Sequence, residues 1–127
     1  MRKRSLYIII IFTALITIAL VLGNSKSFYI GENNNWKVQF ESELNYLNVT
    51  HAIKINPKVR NDQLPTNIEY VIYEREEVMS RGTLQYEQQY TSILPKCPGC
   101  KHFKVDNIDL LLTYEGHPSE KISLKMQ

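Results

Sequence analysis

The chain has 127 residues, of which 43% are hydrophobic and 22% are charged, and its net charge is +2. This length is enough for one folded domain and not for two, and the hydrophobic share excludes a disordered chain. The excess of positive charge lies at the N-terminus: without Arg2, Lys3 and Arg4, 12 basic and 13 acidic residues remain, a net charge of −1. This balance excludes the strongly basic surface that is typical of nucleic-acid-binding proteins.

The first predicted element is an apolar segment that follows the three basic residues. The sequence from Leu6 to Leu22 contains no charged residue, and a helix of this length extends about 26 Å, close to the ~30 Å hydrocarbon core of a bilayer. We therefore expect residues 1–23 to form an uncleaved single-span membrane anchor; the alternative is a signal peptide that is cleaved after Gly23. With either outcome, the positive-inside rule predicts that the basic N-terminal residues stay in the cytoplasm and that the rest of the chain is exported. If the segment is kept as an anchor, we expect a single-pass protein of the cell membrane with an extracytoplasmic C-terminal domain. If the segment is cleaved, we expect a secreted protein.

The next segment, residues 24–35, is predicted to be a linker. Its sequence, "NSKSFYIGENNN", is polar, rich in Asn and contains Gly31. Twelve flexible residues reach about 20 Å on average, so an anchored domain would stay close to the bilayer. The folded domain is then expected over residues 36–127.

From Trp36 onward, apolar and polar residues alternate. The segments "WKVQFESEL", "LNVTHAIKI", "IEYVIYERE" and "NIDLLLTYEG" have the period of two that is typical of half-buried strands. Weaker strand patterns occur in "VMSRGTLQ" and "QQYTSIL", and "KISLKM" closes a hairpin through the turn "HPSE". About seven short strands without a helical repeat predict an all-β domain. We expect an immunoglobulin-like β-sandwich, with a small β-barrel as the alternative.

The two cysteines of the chain, Cys97 and Cys100, enclose a Pro-Gly pair. Pro-Gly suits the centre of a type II turn, and an exported compartment allows neighbouring thiols to oxidise, so we expect a Cys97–Cys100 disulfide that closes a turn. One alternative is a zinc site with Cys97, Cys100 and His102, completed by His51 or His117 if the fold brings either close. The other alternative is a thiol-redox pair, although no helix is predicted after Cys100 to lower the thiol pKa.

Several other residues are candidates for a site, and each also has a structural interpretation. His51 lies on the apolar face of its strand, where we expect a partly buried and hydrogen-bonded imidazole. The glutamates of "YEREE" are expected at a solvated strand end. Trp36 and the tyrosines are expected in the core and in cross-strand pairs, but an exposed cluster of them would be the best candidate for a binding face. These tyrosines are Tyr70, Tyr73, Tyr86, Tyr90 and Tyr114.

The order of motifs resembles that of a known group of proteins. After the apolar N-terminal segment come "NNNWKVQF", "IEYVIYE", "GTL", "CPGC" and "IDLLLTYEGHPSEKISL", which together span most of the chain from Trp36 to Leu124. This arrangement resembles small exported proteins of Bacillus-like Gram-positive bacteria, which are anchored by an N-terminal helix or a lipid. The resemblance implies a β-sandwich at the cell surface and brings no catalytic residues to transfer. The apolar segment contains no cysteine that would accept a lipid.

The sequence therefore predicts a binding function more than a catalytic one. It contains no Gly-rich phosphate loop and no nucleophile-elbow serine. We expect a non-enzymatic, membrane-anchored extracytoplasmic domain without a cofactor, which binds a partner protein or a component of the cell envelope. The alternative is an extracytoplasmic thiol-redox or zinc-binding protein that uses Cys97 and Cys100.

Overall fold

A computed structural model describes residues 2–22, 24–46, 48–58, 64–94 and 100–127, without the side chains of residues 19–22 and 94. The described residues form one α-helix, eight strands and one short 3₁₀ helix. In chain order these are α1 (Arg2–Leu22), β1 (Asn24–Glu32), β2 (Trp36–Asn45), β3 (Asn48–Pro57), β4 (Asn67–Glu74), β5 (Glu77–Gln85), the 3₁₀ helix (Tyr86–Gln88), β6 (Thr91–Leu94), β7 (Asn107–Thr113) and β8 (Glu120–Met126).

The eight strands form one sheet, and each strand pairs antiparallel with its neighbours. Their order is β5-β4-β7-β8-β1-β2-β3-β6, and the sheet curls into a nearly closed, barrel-like shape. The predicted all-β class is confirmed. An immunoglobulin-like sandwich is not supported, because its strands would divide between two sheets, whereas these strands are hydrogen-bonded into one. The arrangement agrees with the small-barrel alternative.

The hydrophobic core lies on the concave face of this sheet. In β2, Trp36, Val38 and Phe40 are buried and the residues between them are not, as the period of two predicts. His51, Ile53 and Ile55 of β3 are buried in the same way. The predicted closing hairpin is also confirmed, since β7 and β8 pair from Asn107↔Lys125 to Leu112↔Glu120. Other large, fully buried side chains include Tyr29, Ile68, Ile72, Leu84, Tyr90, Phe103, Ile108, Leu110, Leu112, Ile122 and Leu124.

The prediction of a linker over residues 24–35 is wrong for most of that segment. Asn24–Glu32 forms strand β1, which lies between β2 and β8 within the sheet and pairs with β2 along its whole length. Its composition is polar because only Ser27 and Tyr29 are buried in the interior. Gly31 allows the close approach of β8, because a Cβ atom there would lie 2.3 Å from the Ser123 carbonyl oxygen. Packing between two strands thus outweighs a weak intrinsic preference for the extended state.

The predicted N-terminal helix is confirmed as α1. Its described apolar side chains from Leu6 to Ile18 are largely exposed; Phe12, for example, is 66% exposed. Among the described residues, no helix combines the length and the hydropathy that crossing a membrane requires.

The chain direction defines two ends of the sheet. We call the end where β1 begins, after α1, the proximal end; it includes the β2–β3 turn and the β4–β5 turn. The opposite end, the distal end, includes the β1–β2 turn, the 3₁₀ helix and the β7–β8 turn. Each end has its own polar and aromatic side-chain cluster.

Candidate functional site

Aromatic side chains from three separate parts of the chain meet at the distal end. The Trp36 ring packs edge-to-face against Tyr90 and against Tyr114, with ring centroids 5.8 Å apart in both pairs. Tyr86 packs against Tyr90 at 5.9 Å, and His117 packs against Tyr114 at 4.7 Å. We call these five residues the distal aromatic cluster. Trp36, Tyr86, Tyr90 and Tyr114 are therefore brought together, in the edge-to-face geometry that is favourable for such rings. Trp36 and Tyr90 are buried, as expected of core residues, and Tyr86 is exposed, so only part of this cluster is at the surface.

Glu120, at the start of β8, holds this cluster in place. Its Oε2 atom accepts hydrogen bonds from Trp36 Nε1 at 3.0 Å and from the Tyr114 hydroxyl at 2.5 Å. Its Oε1 atom accepts from the side-chain amides of Asn35 at 2.6 Å and Asn33 at 3.3 Å. Although burial acts to raise the pKa of Glu120, these four hydrogen bonds hold it below its ordinary value. The carboxylate is thus stabilised in its charged form and fixes two of the rings.

The connection between β5 and β6 positions Tyr86 and Tyr90. Gln89 and Tyr90 both adopt positive φ, 54° and 51°, an uncommon conformation for bulky residues. Tyr90 is thereby buried, and its hydroxyl donates to the Pro65 carbonyl oxygen. The Ile55 amide donates to the Tyr90 carbonyl at 3.1 Å, which ties the connection to β3. Tyr86 remains 55% exposed at the surface of the cluster.

Two cavities adjoin the distal aromatic cluster. One has a volume of about 600 Å³ and is lined by Leu64, Pro65, Thr66, Asn67, Glu69, Thr113, Tyr114 and Glu115. The other, of about 480 Å³, is lined by Ile55, Asn56, Pro57, Leu64, Tyr86, Glu87, Gln89 and Tyr90. Volumes of ~300–1,000 Å³ are usual for small-molecule sites. Rings, hydroxyls, amides and carboxylates line these two open cavities together.

At the proximal end, the segment Lys101–Val105 enters the interior of the sheet; we call it the inner segment. Its central residue, Phe103, is 1% exposed and packs edge-to-face against Phe40 with ring centroids 5.3 Å apart. The Ser27 hydroxyl donates to the Phe103 carbonyl at 2.6 Å, and the Phe103 amide donates to the Ser42 hydroxyl at 3.1 Å. The Tyr29 hydroxyl donates to the Val105 carbonyl at 2.6 Å. Side chains of β1 and β2 therefore satisfy the buried backbone of this segment.

Two histidines take part in the same network. His51 is 2% exposed, and its Nε2 atom donates to the Lys101 carbonyl oxygen at 3.0 Å, so the predicted burial and hydrogen bonding of this residue are confirmed. The Nδ1 atom of His102 lies 2.9 Å from the Ser42 hydroxyl, and its Nε2 atom lies 3.0 Å from the Ser25 hydroxyl. Both histidines thus fasten the inner segment to the strands around it.

The Ser25–His102–Ser42 arrangement places a serine hydroxyl at each imidazole nitrogen, whereas a hydrolytic triad has a serine at one nitrogen and a carboxylate at the other. The third member of a Ser-His-Asp triad is a buried carboxylate, which stabilises the imidazolium that forms during the reaction. Ser42 is neutral, and its hydroxyl already accepts the Phe103 amide. The hydrogen bonds of this arrangement therefore join the inner segment to β1 and β2.

The cysteine predictions fall only partly on described residues. Cys97 lies outside them, so the Cys97–Cys100 disulfide, the redox pair and the zinc site with Cys97, Cys100 and His102 stay predictions. Of the other proposed zinc ligands, His117 is at the distal end and His51 donates to a backbone carbonyl. In the described part of the chain, no group of three or more His, Cys, Asp or Glu residues is arranged to hold a metal ion.

No family model, curated protein or solved structure matches the chain. The residue that sequence reasoning missed is Glu120, which is 84 residues from its partner Trp36. The signal in the sequence was the polar run "NNNW", because its side-chain amides and its indole are hydrogen-bond donors and need an acceptor. The sequence does not show which residue accepts, because only the register of the strands brings Glu120 close to these donors.

Proposed function

We propose that this protein is a membrane-anchored, extracytoplasmic and non-enzymatic domain that binds a partner protein or a cell-envelope component through its distal aromatic cluster. The observation that carries the proposal is the cluster itself: rings held by Glu120 beside two cavities, with Tyr86 at the surface. Rigid aromatic side chains that are fixed before binding lose little entropy when a partner binds, and they are enriched among the residues that dominate interface energies.

The proposed anchor is α1. Its 21 residues would extend about 31 Å, the thickness of a bilayer core. Its described apolar side chains are exposed on all sides, and a helix that is hydrophobic all round requires an apolar environment. Arg2, Lys3 and Arg4 would then lie in the cytoplasm, and the sheet would lie outside. If the segment is a cleaved signal peptide, the same domain is secreted.

The proposed anchor also implies an orientation for the binding face. β1 begins at Asn24, directly after the α1 region, so the proximal end would face the membrane. β1 has nine residues, which extend about 30 Å at ~3.3 Å per residue. The distal aromatic cluster would consequently face away from the bilayer, where a partner has free access.

Site-specific photo-crosslinking tests the proposed binding face. The photoreactive residue p-benzoylphenylalanine is introduced in place of Tyr86, or in place of Tyr46 as the matched control, and the full chain is irradiated in the membranes of producing cells. Tyr86 and Tyr46 are similarly exposed, at 55% and 52%, but they lie at opposite ends of the sheet. We expect discrete higher-mass adducts from position 86 and none from position 46. Adducts from both positions alike, or from position 46 alone, would contradict the proposal.

A further inference from the structure

The outward face of strands β1, β2, β3 and β6 contains apolar side chains that the core does not use. In the middle of β1 the usual pattern is inverted, because Phe28 and Ile30 point outward. Ile93 of β6 is 63% exposed, the highest value among the large hydrophobic side chains described outside α1. Packing in the interior does not explain why these three outward positions are apolar.

The register of the strands joins these side chains into one patch. One row of outward residues crosses all four strands and consists of Phe28, Glu41, Ala52 and Ile93. The adjacent row consists of Ile30, Gln39, Lys54 and Thr91. We call these two rows the lateral patch. A shallow groove of about 130 Å³ lies within it, and its lining includes Phe28, Ala52 and Ile93.

We propose that the lateral patch is a dimer interface, on which a second copy of this chain packs face to face about a two-fold axis parallel to the strands. The axis lies between β2 and β3, so that β2 of one copy faces β3 of the other and β1 faces β6. This surface is separate from the distal aromatic cluster, and the proposal goes beyond the binding function assigned to that cluster.

The charges of the lateral patch are self-complementary under this symmetry. Because Glu41 and Lys54 occupy adjacent rows of neighbouring strands, each Glu41 would be offset by about 7 Å along the strand from Lys54 of the other copy. Packed sheets lie about 10 Å apart, a gap that these two long side chains can bridge. Glu41 also pairs with Lys26 of its own chain, whereas Lys54 is exposed and has no ion pair within the described residues. The two-fold axis forms the Glu41–Lys54 contact twice.

The face as a whole does not repel a second copy. The lateral patch and the row on its proximal side contain two lysines and two glutamates, so their charges cancel. These residues are Lys26, Lys54, Glu41 and Glu43. An apolar patch within a charge-balanced face is thus able to approach its own copy closely.

The sizes of the side chains fit two convex surfaces. The sheet curls around its core, so two copies come closest at β2 and β3 and diverge toward β1 and β6. The small Ala52 lies in β3, near the axis, and the larger Phe28 and Ile93 lie in the outer strands. Each Ile93 would pack on Phe28 of the other copy, which fills the space where the surfaces diverge.

The proposed anchor favours the same arrangement. Two copies anchored through α1 would share one orientation, and an axis parallel to the strands preserves that orientation. Confinement to one membrane raises their effective concentration, so a small interface can be populated. The contacts of the lateral patch themselves do not depend on the anchor.

Photo-crosslinking tests the identity of the occupant. The residue p-benzoylphenylalanine replaces Ile93, or Leu111 as the control, and the full chain is irradiated in producing cells. Leu111 points outward from β7, four strands away from β3 in the order of the sheet. We expect an adduct of twice the chain mass from position 93, linked near Phe28, and none from position 111. No such adduct, an equal yield from both positions, or adducts with other proteins only, would overturn the proposal.

A charge exchange tests the two-fold arrangement. Lys54→Glu and Glu41→Lys each place like charges at the proposed contact, so each variant alone should lower the yield of the position-93 adduct by about threefold or more. When the two variants carry different epitope tags and are produced together, opposite charges meet again in the mixed pair. We expect the mixed adduct to form at the yield of the parent chain. A mixed yield as low as that of each variant alone would overturn the arrangement.

Discussion

A single carboxylate, Glu120, connects the turns at the distal end. It accepts hydrogen bonds from the β1–β2 turn, from the start of β2 and from Tyr114, and so joins residues that are up to 87 positions apart. A hydrogen bond to a charged group is worth about 1.5–3 kcal/mol when buried, and a half-buried group retains part of that. From the sequence, the aromatic residues of this cluster could be predicted to be core residues or candidates for a binding face. Their common acceptor could not be predicted, because it becomes a neighbour only through the register of β7, β8 and β1.

Replacing Glu120 tests its role at the residue scale. We expect Glu120→Gln to lower the free energy of unfolding by about 1–2 kcal/mol, because the amide has one acceptor oxygen for four donors and presents its own NH₂ group to some of them. Chemical denaturation at pH 7 measures this loss. The matched control Glu115→Gln, at an exposed neighbouring position, should stay within about 0.5 kcal/mol of the parent. Equal effects of the two variants would contradict the role of Glu120.

The same carboxylate predicts a pH dependence. Since the folded pKa of Glu120 is depressed, its stabilising effect is complete above the unfolded pKa of about 4.5 and is lost as pH falls through the folded value. The difference in unfolding free energy between the parent chain and Glu120→Gln should therefore shrink below about pH 4.5. A difference that stays constant down to pH 3 would show that the charge of Glu120 is not what stabilises the cluster.

At the scale of elements, the alternation of apolar and polar residues correctly predicted each strand that has one apolar face. β2, β3, β7 and β8 each place apolar residues at every second position, so their strands and buried faces were predictable. β1 was not, because its sequence puts Phe28 and Ile30 on the outer face and only Ser27 and Tyr29 in the interior. It forms a local hairpin with β2, but its pairing with β8 is long-range, which local composition does not encode.

Truncation distinguishes a strand from a linker over residues 24–32. A chain that begins at Trp36 lacks β1, so β2 and β8 lose their shared neighbour and the apolar interior opens. We expect this chain to lack near-ultraviolet circular dichroism and cooperative unfolding, whereas a chain that begins at Asn24 should keep both. A chain from Trp36 that unfolds as cooperatively as the chain from Asn24 would contradict the placement of β1 within the sheet.

At the scale of the whole molecule, the two ends of the sheet contain different groups of side chains. The proximal end, next to α1, contains the inner segment with His51 and His102, and the distal end contains the aromatic cluster. An anchor at one end leaves the other accessible, so the fold would present its binding face outward without a long linker. Among the described strands, β5 and β6 are the two edges of this nearly closed sheet.

In the proposed topology, α1 would anchor the chain in a membrane and leave the sheet outside. The most direct test is protease treatment of cells that produce the full chain with an epitope tag after Gln127, carried out on unbroken cells without an outer barrier, alongside carbonate extraction of their membranes. We expect the uncleaved chain to stay in the extracted membranes and to lose its tag when protease is added to unbroken cells. A chain that retains α1 but is released by carbonate, or a tag that is removed only after the cells are lysed, would contradict it.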